Sequence, residues 1–300
     1  MRLLLLAHIF LVKICNYDIH HYQRETMDDE KVKEQVLSTF ETVARAYDKV
    51  AFFKESSRHI ADMLKLKPGT KILDVACGTG NVILQLASSF PKTECVGIDI
   101  SQAMLDVAED SAKARGITNT RFFCQDIESL TQDTSYDLIT CSYALFFLPN
   151  PVDTLRLLVS LLSDDGELIF TSFTDEAFTP SSPILIKELQ AFGIALEDEN
   201  EETWRQLTSE EEIKTLCKKA GLVPSSIQTL AIRYPLDPAQ WWELKMSTGY
   251  RGMINELSEQ AFDTVKKNYF SKMHEYTDEK GEVMLIADTL YTRIVKPIST

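Results

Sequence analysis

Three carboxylates recur at matching places in this chain. Asp74 follows Lys71-Ile72-Leu73, Asp99 closes Val96-Gly97-Ile98, and Asp126 comes shortly after Arg121-Phe122-Phe123-Cys124. An acid at the carboxyl end of a strand can accept both hydroxyls of a ribose, as it does in dinucleotide folds. It would repel a pyrophosphate and suits a ligand carrying positive charge. After the first acid comes Ala76-Cys77-Gly78-Thr79-Gly80-Asn81, a turn whose glycines let the backbone approach a ligand closely. A dinucleotide fingerprint, GxGxxG, would need a third glycine where Ile83 stands. The pattern therefore points away from a dinucleotide and toward a cationic ligand bound at the ends of several strands.

Such residues need strands to carry them. Lys71 to Val75, Cys95 to Ile98, Arg121 to Cys124, Tyr136 to Cys141 and Glu167 to Thr171 are short runs rich in Ile, Val, Leu and Phe, with helical patterns between them. That alternation predicts a mostly parallel sheet with helices on both faces. Ser101 caps a helix whose inner face is Met104, Leu105 and Ala108 and which ends at Gly116. Pro151 opens another with Leu155, Leu158, Val159 and Leu162 inward, and Ser209 with Glu212 forms a capping box for a third that stops at Gly221.

Ahead of the first strand, Val32, Val36, Phe40, Val43 and Tyr47 share one helical face, and a second helix is read from Ser57 to Leu66, before the Pro68-Gly69 turn. After the fifth strand the pattern lapses into a Pro/Ser turn, a helical piece (Ile184 to Leu196) and an acidic run, Glu197 to Glu202. A strand from Ile227 to Tyr234, helices from Pro238 to Leu257 and Ser258 to His274, and a last strand from Val283 to Val295 complete the reading.

Composition limits the function classes. The 300 residues allow one large domain or two modest ones of about 150 residues each. A net charge of −14 disfavours nucleic acid and anionic lipid as partners. The six cysteines (Cys15, Cys77, Cys95, Cys124, Cys141, Cys217) form no CxxC pair and read as buried thiols in a reducing, cytoplasmic compartment. Three of the five histidines, His8, His20 and His21, lie in the first 21 residues, so no multi-histidine metal centre is expected.

The opening segment, Arg2 followed by the apolar run Leu3 to Val12 and Lys13, looks like a signal peptide but lacks a small-x-small cleavage site. It is also too short to span a bilayer as a helix, which takes about 20 residues. Translation from Met27, or a loosely ordered tail, is the favoured reading over secretion, and no stable membrane insertion is expected.

The run Ile72-Leu73-Asp74-Val75-Ala76-Cys77-Gly78-Thr79-Gly80 resembles motif I of the class I S-adenosylmethionine-dependent methyltransferases. Ala76 stands where many members have the first glycine, as is tolerated in the ubiquinone/menaquinone-biosynthesis type that this stretch most resembles. The resemblance covers Lys71 to Phe173, about a third of the chain. It implies S-adenosyl-L-methionine as cofactor, with Ala76, Gly78 and Gly80 along its methionine part and Asp74 beside them. Asp99, followed by Ile100, would hold the ribose and Met104 would pack on the adenine. Asp126 would take the adenine amino group with Ile127 on the ring, Ser142 would touch the cofactor, and Tyr47 would cover its methionine end.

The fold this implies is α/β: a Rossmann-like, doubly wound, mostly parallel seven-stranded sheet with a reversed last strand, an N-terminal helical cover and inserted lid helices. The expected organisation is a leader or disordered tail (1–26), the helical cover (27–68), a cofactor-binding core (69–173), a lid insertion (174–208) and a C-terminal part of the sheet with substrate-lid helices (209–300).

For the acceptor, Phe146 and Phe147 are candidates for a pocket floor, and Trp241 and Trp242 for a lid. An Asn/Asp-Pro-Pro-aromatic run of amino-methylating enzymes is absent, and Cys141 is not preceded by proline. His59 and Tyr143 are the candidates for a base, and no metal ligands can be assigned. The expected activity is methyl transfer by in-line displacement to a small, aromatic or lipophilic molecule. The alternatives are methylation of a protein or RNA, or a non-catalytic cofactor-binding sensor or partner protein.

Overall fold

Alternation of side chains along the central strands divides the interior into two layers, one on each face of the sheet. The computed structural model describes residues 29–131, 134–148, 150–194 and 207–296. The expectations for the leader, with Cys15 and the three N-terminal histidines, for a start at Met27 and for the acidic run Glu197 to Glu202 lie outside the described residues.

Strands β1 (Lys71–Val75), β2 (Glu94–Asp99), β3 (Thr120–Cys124), β4 (Tyr136–Ser142) and β5 (Leu162–Phe173) pair in parallel. β6 (Ser226–Leu230) and β9 (Thr289–Val295) complete a seven-stranded sheet of order β3-β2-β1-β4-β5-β9-β6, in which β9 is antiparallel to both neighbours. Ile72, Leu138, Ile169 and Tyr291 face one core, and their neighbours Leu73, Ile139, Leu168, Phe170 and Leu290 the other. This two-residue period is what a strand covered on both sides requires.

Helices α2 (Ala51–Asp62), α3 (Asn81–Ser89) and α4 (Gln102–Ala114) supply Ile60, Ile83, Leu86 and Leu105 to the first core. The opposite core takes Leu155 and Leu158 from α5 (Pro151–Ser160), and Ile213, Leu216 and Cys217 from α7 (Glu210–Lys219). Each fully buried aliphatic side chain of this kind contributes roughly 1.5–3 kcal/mol. The chain runs outward from β1 through β2 to β3, then returns to β4 on the far side of β1. That reversal opens a crevice at the carboxyl ends of β1 and β4, the place where open α/β sheets bind ligands.

A third, aromatic-rich core joins Phe52, Phe53, Tyr143, Phe173 and Phe178 to the remaining elements. These are α6 (Ser181–Gln190), α8 (Pro238–Met246), α9 (Tyr250–Ile254), α10 (Glu259–His274) and a two-stranded sheet of β7 (Arg233–Leu236) and β8 (Val283–Ile286). Helix α1 (Asp29–Tyr47) packs on α4, where Val43 and Ala44 bury Met104.

The structure redraws several element boundaries. The second helix starts at Ala51, six residues before Ser57, because Phe52 and Phe53 anchor its first turn in the aromatic core, and it ends at Asp62. Leu162 belongs to β5, not to the preceding helix, and the insertion helix is Ser181–Gln190. The single strand read from Ile227 to Tyr234 is two, β6 and β7, and that from Val283 to Val295 is likewise β8 and β9. The cause is Asp288, whose carboxylate accepts the Ile232 N–H (3.1 Å) and the Arg233 guanidinium, while the Ala287 N–H donates to the Ile232 carbonyl (2.9 Å). This knot bends both chains off the main sheet together. Pro238 to Leu257 is also divided, at Ser247 to Gly249, where the Thr248 hydroxyl takes up the Leu244 carbonyl (2.9 Å). Among the described residues no helix is long and apolar enough to cross a membrane.

Candidate active site

The loop after β1 leaves the sheet through three left-handed residues, Ala76 (φ 51°), Gly78 (φ 53°) and Gly80 (φ 81°). Gly80 caps α3, and a Cβ there would lie 3.1 Å from Ala108 and Leu84. At Gly78 a Cβ would meet nothing within 4 Å, so this glycine borders open space and leaves a cradle beside the backbone. The loop is tied to the sheet by backbone bonds, Cys77 N–H to the Ile98 carbonyl and Gly80 N–H to the Cys77 carbonyl, both 2.9 Å.

Asp99 ends β2 with both oxygens engaged: Oδ2 accepts the Gly78 N–H at 2.8 Å and Oδ1 the Ser101 N–H at 2.9 Å. A carboxylate has about four acceptor positions, so each oxygen retains capacity for a ligand hydroxyl. Burial raises the Asp99 pKa against the opposing pull of its N–H partners, Ser101, Gly78 and Ile100. Ser101 in turn caps α4 by accepting the Met104 N–H.

Asp74 lies deeper, only 1% exposed, behind this loop. Its Oδ1 accepts the Thr140 hydroxyl at 2.6 Å, whereas Oδ2 is buried with no hydrogen-bond partner. Burial pushes its carboxyl up to about 7, although the Thr140 hydroxyl and Ile83 N–H favour the charged form. This orphaned acidic oxygen lies behind the loop and off the cleft lining, so Asp74 can act on a ligand only through its charge.

A cleft of about 880 Å³, open mouth included, lies over these groups. Its floor is Ala76 and Gly78 from the β1 loop and Ile98, Asp99 and Ile100 from β2. One wall is Met104 of α4 with Gln125, Asp126 and Ile127 beyond β3, where Asp126 Oδ1 accepts the Glu128 N–H (3.0 Å). The other comprises Ser142, Tyr143 and Ala144 after β4, then Phe147 and Leu148. Phe40 and Tyr47 of α1 close the top. Burial and the neighbouring Asp99 carboxylate both raise the Tyr47 phenol far above its ordinary value, so it stays protonated. The Ser142 hydroxyl is 2.8 Å from that of Thr171.

Of the residues singled out in the sequence, the cleft thus gathers Tyr47, Ala76, Gly78, Asp99, Ile100, Met104, Asp126, Ile127, Ser142, Tyr143 and Phe147. Asp74 and Gly80 support its loop from behind. Phe40, Ile98, Gln125, Ala144 and Leu148 were not assigned to the site. Phe40 had a signal, since it shares the helical face of Tyr47, whereas Gln125 is exposed by local pattern alone.

Other candidates are displaced from the cleft. His59 packs edge-on against Tyr291 (4.7 Å between ring centroids), on a face of the sheet away from the lining residues. Trp241 is fully buried with its indole N–H on the Val283 carbonyl (3.2 Å), and Trp242 packs among Phe262, Tyr269 and Phe270, so both cement the added helices. Phe146 packs against Phe147 and toward Phe173, behind the lining. Tyr143 does reach the cleft, but its hydroxyl donates to Thr289 Oγ1 (2.8 Å), which itself donates to the Ala287 carbonyl. Burial, then the nearby Tyr291, raises its pKa well above that of an ordinary phenol, which disqualifies it as a base near neutral pH. Among the described residues no group of three or more His, Cys, Asp or Glu side chains gathers to hold a metal ion.

Three carboxylates near one glycine-lined cradle, with an unsatisfied acidic oxygen behind it, fit a cationic nucleoside. Comparison with known proteins agrees in class. Residues 66–221 match the model of a methyltransferase-domain family. The aklanonic acid methyltransferase DauC of Streptomyces sp. (strain C5) is 31% identical over 175 residues, 54% of this chain and 80% of that protein. The ubiquinone/menaquinone biosynthesis C-methyltransferase UbiE of Ectopseudomonas mendocina is 27% identical over 58% of this chain and 70% of its own length. For other similar relatives the matched region spans only 52% of their length. Among solved structures, the magnesium protoporphyrin IX methyltransferase of Synechocystis, determined with bound S-adenosylhomocysteine, superposes with a TM-score of 0.53 at 18% identity, over 90% of this chain and 100% of that one, and shares the fold.

Proposed function

The chain belongs to the methyltransferase-domain family and is an S-adenosylmethionine-dependent enzyme, and from that premise we propose that it methylates a small, aromatic or lipophilic molecule in the cleft above β1 and β4. The observation that carries this reading is the convergence of Gly78, Asp99, Asp126 and Ser142, from four successive strand ends, on one cleft whose far side is aromatic. S-adenosylmethionine supplies an activated methyl group on a sulfonium.

The chain's own residues then bind, orient and keep water out. Asp99 accepts the ribose hydroxyls with the lone pairs left over from Gly78 and Ser101, and Ile100 lines the same wall. Met104 and Ile127 would pack against the adenine, and Asp126 would accept a hydrogen bond from its amino group. Ala76 and Gly78 present backbone to the methionine part, with Gly80 fixing the turn, and Asp74 provides negative charge behind them. Tyr47 and Ser142 border the junction between cofactor and acceptor. In-line displacement needs alignment more than a side-chain nucleophile, so the part of the aromatic end is to hold the acceptor against the cofactor.

The region 69–173 serves as the cofactor-binding core and 27–68 as its cover, the two together supplying every described residue of the cleft lining, while the described part of 174–300 packs the aromatic core behind it. The buried unpaired thiols Cys77, Cys95, Cys141 and Cys217 support action in a reducing, cytoplasmic compartment.

Titration calorimetry with S-adenosylhomocysteine, paired with transfer of radiolabelled methyl from S-adenosylmethionine into a cell extract, tests the reading. The expected result is one binding site and label in the organic-soluble fraction. Label confined to acid-precipitated protein or RNA would overturn the small-molecule assignment, and binding without any transfer would make the chain a sensor.

A further inference from the structure

Resting on that reading, we infer that the acceptor is an uncharged aromatic molecule, and that the cleft rejects acids and amines of the same shape. Once the residues proposed for the cofactor are set aside, the acceptor end consists of Phe40, Tyr143, Ala144, Phe147 and Leu148, with Tyr47 at the junction. Its rings are held from behind. Phe40 meets Tyr47 and Phe147 edge-on at 5.8 and 5.9 Å. Tyr47 stacks on Phe53 at 4.5 Å and Tyr143 on Phe173 at 4.3 Å. A wall of braced rings offers faces and edges to a further flat ring at little conformational cost.

The polar groups of this wall are committed elsewhere or neutral. The Tyr143 hydroxyl is turned to Thr289, and Tyr47 remains a protonated phenol that can donate one hydrogen bond. The charged side chains on the lining, among the described residues, are the carboxylates Asp99 and Asp126. Among the described residues no Lys or Arg stands on the lining: Arg45 and Lys49, beside Tyr47 in the chain, are exposed, and Arg251 of α9 directs Nη1 toward Met246 Sδ at 3.5 Å.

An acceptor bearing a carboxylate away from the reacting atom would lose its hydration in this cleft and meet no basic side chain on the lining in return. A protonated amine would lose its hydration likewise, since Asp99 and Asp126 are taken up by the cofactor. A neutral ring escapes both penalties and keeps the full gain from apolar burial.

The test uses the full chain saturated with S-adenosylhomocysteine and three naphthols carrying a methyl, a carboxylate or an aminomethyl group at the same ring position. Binding of each is measured by calorimetry at neutral pH. The methyl compound is expected to bind, with the carboxylate and the ammonium at least about tenfold weaker. A Leu148→Arg variant, which sets a cation on the lining, is expected to narrow the gap between the methyl and carboxylate compounds. Carboxylate or ammonium binding equal to that of the methyl compound would overturn the inference, as would failure of all three to bind protein that does hold S-adenosylhomocysteine. Failure to bind S-adenosylhomocysteine itself would instead overturn the proposed function beneath it.

Discussion

Gly78 donates its N–H to Asp99 at 2.8 Å, and so the loop after β1 is fastened to the end of β2 by the same carboxylate that faces the cleft. The acid is both a strut and a ligand-facing group. Its two oxygens hold the loop and the α4 cap in place before anything binds, which spares a ligand the cost of ordering them.

Asp99→Ala is expected to weaken S-adenosylhomocysteine binding by about 1.5–3 kcal/mol, through lost charge-assisted hydrogen bonds and a loosened Gly78 loop. Calorimetry reads this directly, and an unchanged affinity would remove Asp99 from the site.

Asp74 makes stability depend on pH in a defined direction. Its folded pKa is pushed up to about 7, above the ordinary carboxyl value of 3.8, chiefly by burial. Between those values the native state holds a proton that the unfolded chain has released, so stability is greatest below that window and falls as pH rises through it. The melting temperature of the ligand-free protein is expected to decline from about pH 4 to 7, and Asp74→Asn to flatten that part of the profile. S-adenosylmethionine affinity should rise over the same interval as the carboxylate ionises against the cation. A profile identical in the asparagine variant would assign the titration to another group.

Ala76 occupies the left-handed region at φ 51°, where a Cβ is strained. Ala76→Gly is expected to raise stability by up to ~1 kcal/mol, less whatever the freer unfolded chain takes back. Denaturant melts of the pair settle the sign, and a loss of stability would mean that the methyl group packs well enough to outweigh the strain.

The Tyr143–Thr289 hydroxyl pair joins the cleft to the start of β9. Tyr143→Phe is expected to cost about 1 kcal/mol, and Thr289→Val more, because it strands a buried phenol. The double variant should cost less than the sum of the two, since the phenol that Thr289→Val strands is then gone, although the Ala287 carbonyl still loses its donor. Strict additivity in urea unfolding would show that the bond contributes nothing.

Much of the site was legible because its groups sit at strand ends. A short apolar run followed by an acid or a glycine turn is a local signal, and Asp74, Gly78, Asp99 and Asp126 each carry it. The parallel order then brings strand ends together without further information from side chains. Tyr47 was legible for a related reason, since helical periodicity puts it with Val43 on the inward face of α1. Gln125 was not, because its place in the wall depends on how β3 lies against β2, and Tyr143 kept its cleft position but lost the role of base to a bond 146 residues away along the chain.

Sequence by itself determined the alternation of strands and helices, the glycine turn and the acids that follow the strands, because hydrophobic period, caps and turn residues act over a few residues. Tertiary structure alone decided which aromatic side chains face the cleft. Trp241 and Trp242 turn into the aromatic core and His59 lies against Tyr291, while Phe40 and Leu148 join the cleft lining. It also decided that two apparent strands break at Ala231–Ile232 and Ala287–Asp288, where one carboxylate, Asp288, binds Ile232 and Arg233 across 55 residues or more of chain. Contacts of that range set the energy of a rotamer or a bend, and no window of neighbouring residues contains them.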